Sequence, residues 1–220
     1  MDTTVSKEDY LKAIAEAETD GEPVIAATLG RWLSVTPAAV TMALRRLQRD
    51  GLAAVRKDGR VQLTAQGREI AERIRFRHHL IERMLSEMFG MEWYKVHDEA
   101  ERLEHAVSAD FEEKLIVRLG ASGVCPHGND IRGDSASERR ARGLLLLREL
   151  KPGAKARIES VFERDRSLLE YFDDRGLRPG VNVRMIHVNP DETIQFKTGK
   201  SSGLLGAGAA SKIWVRPVSR

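Results

Sequence analysis

The sequence predicts a mainly α-helical chain with a small β domain: an N-terminal winged helix-turn-helix, a helical middle module and a C-terminal small β-barrel. Three observations predict it. Apolar residues recur at helical spacing from the first residues to Gly120. The hairpin signal Asp58–Gly59 follows directly on a basic helical segment. Beyond Lys151–Pro152–Gly153 the pattern turns to short β-branched runs parted by Gly and Pro.

The first helix is expected over 5–19, with Val5, Tyr10, Leu11, Ile14 and Ala15 at helical intervals and Ser6 as N-cap. The turn DGEP ends it. A short helix over 25–34 follows. Thr36–Pro37 then reads as a cap followed by Pro at the first helical position. The helix PAAVTMALRRLQRD places Val40, Leu44 and Leu47 on one stripe, and Gly51 stops it. LAAVRKDGRVQLT reads as two strands around a tight turn at Asp58–Gly59 with a basic tip. This order of helix, helix, basic helix and hairpin is that of a winged helix.

Thr64 is expected to cap a long helix over 67–89 carrying Ile70, Ile74, Leu80, Ile81, Met84, Leu85 and Met88. So wide an apolar face needs a partner surface. With helices at 93–107 and 108–119, the middle segment reads as a module able to form a symmetric dimer. The stretch ASGVCPHGNDIRGDSASERR is loop-like. Strands are expected at KARIESVF, VNVRMIHV, TIQFK and KIWVR, with one helix over 166–175. The expected domains are 1–73, 74–145 and 146–220.

Composition excludes several classes. The chain is 31% charged and 41% hydrophobic, as soluble globular proteins are. No apolar run is long enough to span a membrane, and the polar MDTTVSKEDY does not read as a secretory signal. The single cysteine, Cys125, rules out an intrachain disulfide and suits a reducing cytoplasm. The net charge of +3 hides two poles. Residues 31–60 carry seven basic side chains against two acids, whereas 91–115 carry eight acids against three bases. One region suits a polyanion and the other suits cations.

In VHDEAERLEHAVS, His97, Glu101, Glu104 and His105 stand at i, i+4, i+7 and i+8, which puts all four on one face of a helix. Two imidazoles and two carboxylates make a poor apolar contact and a good cation site. The preceding helix offers His78 and Glu82 at i and i+4. A solvated charged face is the bland reading of either set alone; the repetition on consecutive helices favours metal. His79, beside that stripe, reads as a bystander or as a residue that braces the ligands from behind. Cys125 and His127 add a CxH pair.

These stretches resemble the diphtheria-toxin-repressor family of iron- and manganese-dependent transcriptional regulators. The resemblance rests on VHDEAERLEHAVS, RHHLIERML before it and CPHGNDI after it. KEDYLKAI, TPAAVTMALRRLQRDGL and DRSLLEYFDDRGLRPG match the family too, so it covers nearly the whole chain. It implies a winged-helix DNA-binding domain, a helical metal-binding and dimerisation domain and a C-terminal SH3-like (FeoA-like) domain. It also implies a primary metal site of Asp9, Glu101, Glu104 and His105, joining the first helix to the dimerisation helices. Iron-responsive members carry Cys at the Glu101 position; the carboxylate here is similar to the manganese-responsive members, and an oxygen-and-imidazole shell suits Mn(II). Lys12 departs from a manganese-type pattern with a second first-helix carboxylate, which argues against a binuclear primary site.

An ancillary site is implied by His78, Glu82 and His97, with Cys125 and His127 from the CPHG loop and Glu163 or Asp165 from the C-terminal domain. A thiolate there favours Zn(II) or Fe(II) over Mn(II); Fe(II), Co(II) and Zn(II) all stay open as effectors. The expected partners are double-stranded operator DNA and a second copy of the chain. Thr36, Pro37, Ala38, Ala39, Thr41 and Met42 are the expected base-reading face, with Arg45 and Arg46 on the helix and Arg56, Lys57 and Arg60 on the wing as phosphate contacts. The expectation is a repressor and not an enzyme. The alternative from another class is a di-metal carboxylate–histidine enzyme, but no phosphate cradle or nucleophile elbow accompanies the ligands.

Overall fold

The computed structural model describes residues 5–218, with the side chain of Val5 left aside, so that residue's expected packing lies outside the described residues. The chain divides into two compact units. The first comprises residues 1–78 with 132–136, and the second comprises 79–131 with 137–220.

The first unit opens with α1 (Val5–Thr19), α2 (Ala26–Trp32) and α3 (Pro37–Arg49). Ser6 lies inside the first turn of α1 and does not cap it, because the helix already includes Val5. Tyr10, Leu11, Ile14 and Ala15 turn inward against Leu29, Val40, Leu44 and Leu47, as their spacing predicts. Each fully buried Leu or Ile stabilises the unit by roughly 1.5–3 kcal/mol. Thr36 is the N-cap of α3, its Oγ1 accepting from the Ala39 N–H at 3.2 Å, and Pro37 stands at N1 where its missing N–H costs nothing.

The wing is β1 (Ala53–Val55) paired antiparallel with β2 (Val61–Leu63). Its turn differs from the two-residue one expected. Arg56 N–H donates to Arg60 O at 2.8 Å, so Lys57, Asp58 and Gly59 form a three-residue loop. Gly59 follows the turn at φ +81°, the left-handed position that loop requires. Thr64 caps α4 (Ala65–Glu87) by accepting from the Gly67 N–H at 3.1 Å.

In the second unit, α4 buries Leu80, Ile81, Met84 and Leu85. It is followed by α5 (Val96–Leu103), α6 (Ala109–Leu119) and α7 (Ala136–Ala141). The helix expected over 93–107 is therefore shorter: Glu104 is its C-cap and His105 lies in the turn beyond. α6 starts on Ser108, whose Oγ accepts from the Phe111 N–H.

The β domain contains β3 (Leu145–Leu146), β4 (Lys155–Val161), β5 (Asn182–Val188), β6 (Ile194–Thr198), β7 (Ser202–Leu205) and β8 (Ile213–Pro217). They form one six-stranded sheet in the order β3-β8-β4-β5-β6-β7, every pairing antiparallel. α8 (Arg166–Asp174) and α9 (Ala207–Ala210) complete it. β4 alternates buried Ala156 and Ile158 with outward Arg157, which is the period-2 pattern read from KARIESVF. Leu169 and Phe172 of α8 enter the same core, and so does Trp93 from the segment before α5. Trp93 thus ties the segment before α5 to the core of the β domain.

Candidate metal centre

The second unit gathers its chemistry where α4, α5, the CPHG loop and the segment just after β4 meet. His79, Glu82, Cys125 and Glu163 offer ligand atoms that all lie within 4.8 Å of one another, and all four residues are buried. His127 and His97 border the same carboxylates. His127 Nδ1 is 3.4 Å from Glu82 Oε1 and 3.4 Å from Glu163 Oε2. His97 Nδ1 is 3.2 Å from Glu82 Oε1. Cys125 Sγ lies 3.4 Å from Glu163 Oε2 and 3.7 Å from His127 Nδ1.

Local backbone geometry delivers Cys125 and His127 together. Cys125 N–H donates to Asn129 O, and Gly128 N–H donates back to Cys125 O, closing a tight turn. Gly128 takes φ +83°, and a Cβ there would fall 1.9 Å from Glu159 O. Only glycine lets the loop seat against β4. Asn129 Nδ2 then donates to Glu163 Oε2 at 2.5 Å and to Val161 O, while Arg139 Nη2 donates to Asn129 Oδ1. The carboxylate of Glu163 is thereby aimed into the cluster.

The imidazoles are wired for ligation. A backbone carbonyl only accepts, so His127 Nε2–H donates to Trp93 O at 2.8 Å, which turns Nδ1 to the cluster. His79 Nδ1–H donates to Ile131 O at 3.2 Å, turning Nε2 to Glu163 Oε1 at 3.1 Å. The His79 ring is therefore one wall of the cluster, where the sequence had it as a bystander or a residue bracing the ligands.

Electrostatics show what the cluster wants. Burial disfavours an imidazolium at His127, but the carboxylates of Glu82 and Glu163 overcome it and raise the pKa to about 10. Burial and the charge of Glu82 oppose ionisation of Glu163, yet His79 and His127 hold its carboxyl well below the ordinary value. Burial first, then Glu82 and Glu163, push the Cys125 thiol well above its ordinary value. Two carboxylates out of water demand positive charge, and protons on imidazole supply it in the metal-free protein. The donors are carboxylate oxygen, imidazole nitrogen and sulfur, a set that fits a divalent transition metal.

Glu101 Oε1 is 3.5 Å from His97 Nε2 and 3.6 Å from Arg164 Nη1. Glu104 is fully buried and touches His105 Nε2 at 3.4 Å. Those three belong to the second unit, whereas Asp9 on α1 and His78 on α4 belong to the first. His78 is buried, its Nδ1 3.4 Å from Lys12 Nζ. Asp165 serves as the N-cap of α8, accepting from Leu168 N–H, so of the two acids expected from this strand end it is Glu163 that joins the cluster.

On the first unit, every residue expected to touch DNA is exposed. These are Thr36, Pro37, Ala38, Ala39, Thr41, Met42, Arg45 and Arg46 on or beside α3, and Arg56, Lys57 and Arg60 on the wing. Met42 is 56% exposed, an apolar side chain offered to solvent on a basic helix. Thr41 Oγ1 donates to Pro37 O, and Arg56 Nε donates to Gln62 Oε1.

Three family models match this chain. "Iron dependent repressor, N-terminal DNA binding domain" covers residues 2–61, "Iron dependent repressor, metal binding and dimerisation domain" covers 64–133, and "FeoA domain" covers 145–217. The diphtheria toxin repressor of Corynebacterium glutamicum is 33% identical over 196 residues, 85% of each chain. The chain belongs to the diphtheria toxin repressor family. The repressor of Corynebacterium jeikeium is 32% identical over 90% of this chain and 72% of that protein. Among solved structures, a manganese-dependent transcriptional repressor in complex with manganese superposes with a TM-score of 0.85 and 29% identity, covering 96% of this chain and 100% of that one. ScaR with bound Zn2+ follows at 0.81 and 27%, over 96% and 99%.

The family is one of metal-dependent transcriptional repressors. Its architecture is the one described above: a helix-turn-helix DNA-binding domain, a helical domain and an SH3-like β domain with a six-stranded sheet. No helix among the described residues is long and apolar enough to cross a membrane.

Proposed function

We propose that this repressor binds operator DNA as a homodimer in the cytoplasm when divalent metal, foremost Mn(II), is bound. The observation that carries the reading is a buried group of carboxylates, imidazoles and a thiol inside a chain whose first unit exposes a basic winged helix. One metal is held by Glu82, Cys125, His127 and Glu163, with His79 and His97 completing or bracing the shell. The thiolate inclines this centre to a softer ion such as Zn(II) or Fe(II). A second ion is shared by Asp9, Glu101, Glu104 and His105, whose oxygen-and-imidazole shell suits Mn(II). The family's manganese complex and a zinc-bound relative support both ions as effectors.

The ions regulate by binding the DNA-competent state better than the alternatives. Asp9 is far in sequence from Glu101, Glu104 and His105, so an ion they share fastens the opening helix to the subunit-pairing helices. It thereby fixes the spacing of two recognition helices against paired half-sites. Residues 1–73 are the DNA-binding domain in this reading, 74–145 pair the subunits and hold metal, and 146–220 contribute Glu163. The relatives are repressors, and the reading assigns this chain no catalysis.

The test selects a binding sequence from random duplex DNA with Mn(II)-loaded protein. Affinity is then measured with Mn(II), Fe(II) under argon, Co(II), Zn(II) or chelator present, for wild type and Glu101→Ala. Metal-dependent binding that Glu101→Ala blunts supports the proposal. Binding that survives exhaustive chelation sinks it, and metal-dependent turnover of esters or phosphoesters would favour an enzyme instead.

A further inference from the structure

Two adjacent histidines on α4 are wired in opposite senses. His79 gives its Nδ1 hydrogen to Ile131 O, which frees Nε2 to face an ion. His78 has Lys12 Nζ 3.4 Å from its Nδ1, with both side chains buried: Lys12 is 1% exposed and His78 fully enclosed. Lys12 and His78 lie in the same unit. On α1, Asp9 and Glu16 stand one turn before and one turn after Lys12, so the helix face that carries the ammonium also carries carboxylates. A buried ammonium persists where such charge and hydrogen bonds compensate its lost water.

An ammonium has hydrogens to give and no lone pair, so His78 Nδ1 is the acceptor in this contact. A neutral imidazole has one lone pair. Spending it at Nδ1 places the ring hydrogen on Nε2, and the ring in that tautomer has nothing to donate to a cation. We propose that Lys12 is a built-in cation that occupies His78 in place of a metal ion, so that His78 is not a ligand in this chain and the Lys12–His78 bond fastens α1 to α4 without metal. A glutamate or a methionine at position 12 would leave His78 free to ligate. Lysine sets the number of ions the chain takes up.

The inference rests on reading the chain as a metal regulator, and its test separates the two. Histidine rings of the 15N-labelled full-length chain are followed by long-range proton–nitrogen NMR, metal-free and saturated with Zn2+. His78 is expected to stay neutral with its hydrogen on Nε2 in both states, while His127 moves to the shifts of a ligated nitrogen. A ligated nitrogen at His78, or its hydrogen on Nδ1 in the metal-free protein, overturns the inference. A chain that takes up no Zn2+ defeats the metal-regulator reading, and the metal-free tautomer still decides the Lys12–His78 bond. Co2+ titrations give a second readout. Lys12→Met is expected to take up one more equivalent, or to bind in one step at least ~10-fold more tightly, and Lys12→Met/His78→Asn is expected to lose that gain. A folded Lys12→Met that titrates like wild type, or a gain that persists in the double variant, contradicts it.

Discussion

At the residue scale, His127 is the most informative side chain, because its charge in the metal-free protein is set by the two carboxylates that a cation would neutralise. Its folded pKa of about 10 lies above the unfolded value of 6.5. Protonation therefore stabilises the fold, fully below pH 6.5, and that contribution is lost as pH rises through about 10. Thermal unfolding of the metal-free protein between pH 6 and 10.5 is expected to show a loss of stability that His127→Asn does not share; parallel curves would contradict the assignment. A ligating ion must displace the imidazole proton and the thiol proton of Cys125. Metal uptake is accordingly expected to release protons and to tighten as pH rises, which calorimetry in buffers of different ionisation enthalpy measures directly. Gly128→Ala tests the loop. A left-handed φ and a Cβ 1.9 Å from Glu159 O cannot both be accommodated. The variant is expected to lose at least about 1–3 kcal/mol of stability together with the Cys125–His127 arrangement, seen as a lower Tm and a lost thiolate-to-Co2+ charge-transfer band.

Capping and packing of individual elements explain what could be read from the sequence and what could not. α3 was legible in full: Thr36–Pro37 announces its start, and Val40, Leu44 and Leu47 fix its buried stripe. Thr36→Ala removes the cap and is expected to cost about 1 kcal/mol of stability and to weaken DNA binding through a frayed helix start. Unchanged melting with unchanged affinity would show that the cap is idle. The strands β4, β5, β6 and β8 were legible because each alternates or clusters β-branched residues over five residues or more. β3, β7 and α7 were missed: two, four and six residues are too few to express a period. α5 was overextended because the ligand spacing continues past Leu103 while the backbone turns. Long-range contacts hid part of the candidate metal cluster. Sequence spacing pairs residues on one helix, but His79 meets Glu163 across 84 positions, and the loop carrying Cys125 and His127 seats against β4 only with glycine at 128. The CxH pair was the one local sign of it.

At the scale of the whole molecule, the proposed assembly is two copies clamped by metal. α6 buries only Leu115 among its eleven residues and leaves Phe111 44% and Val117 78% exposed, with Phe89 at the end of α4 70% exposed. Apolar surface of this kind is what a subunit interface covers. Val117→Glu is expected to shift sedimentation velocity from dimer to monomer while leaving the circular dichroism of the monomer intact, because that side chain is 78% exposed within its own chain. A dimer that survives would place the interface elsewhere. Metal control of DNA binding requires linkage in both directions, since a coupling free energy belongs to the pair of sites. The most direct measurement is the Mn(II) isotherm of the full-length repressor with and without its selected DNA duplex. DNA is expected to tighten Mn(II) binding by roughly 5–150-fold, and Glu104→Gln is expected to abolish that gain. Superimposable isotherms, with the protein shown to be on the DNA, would contradict metal as the switch.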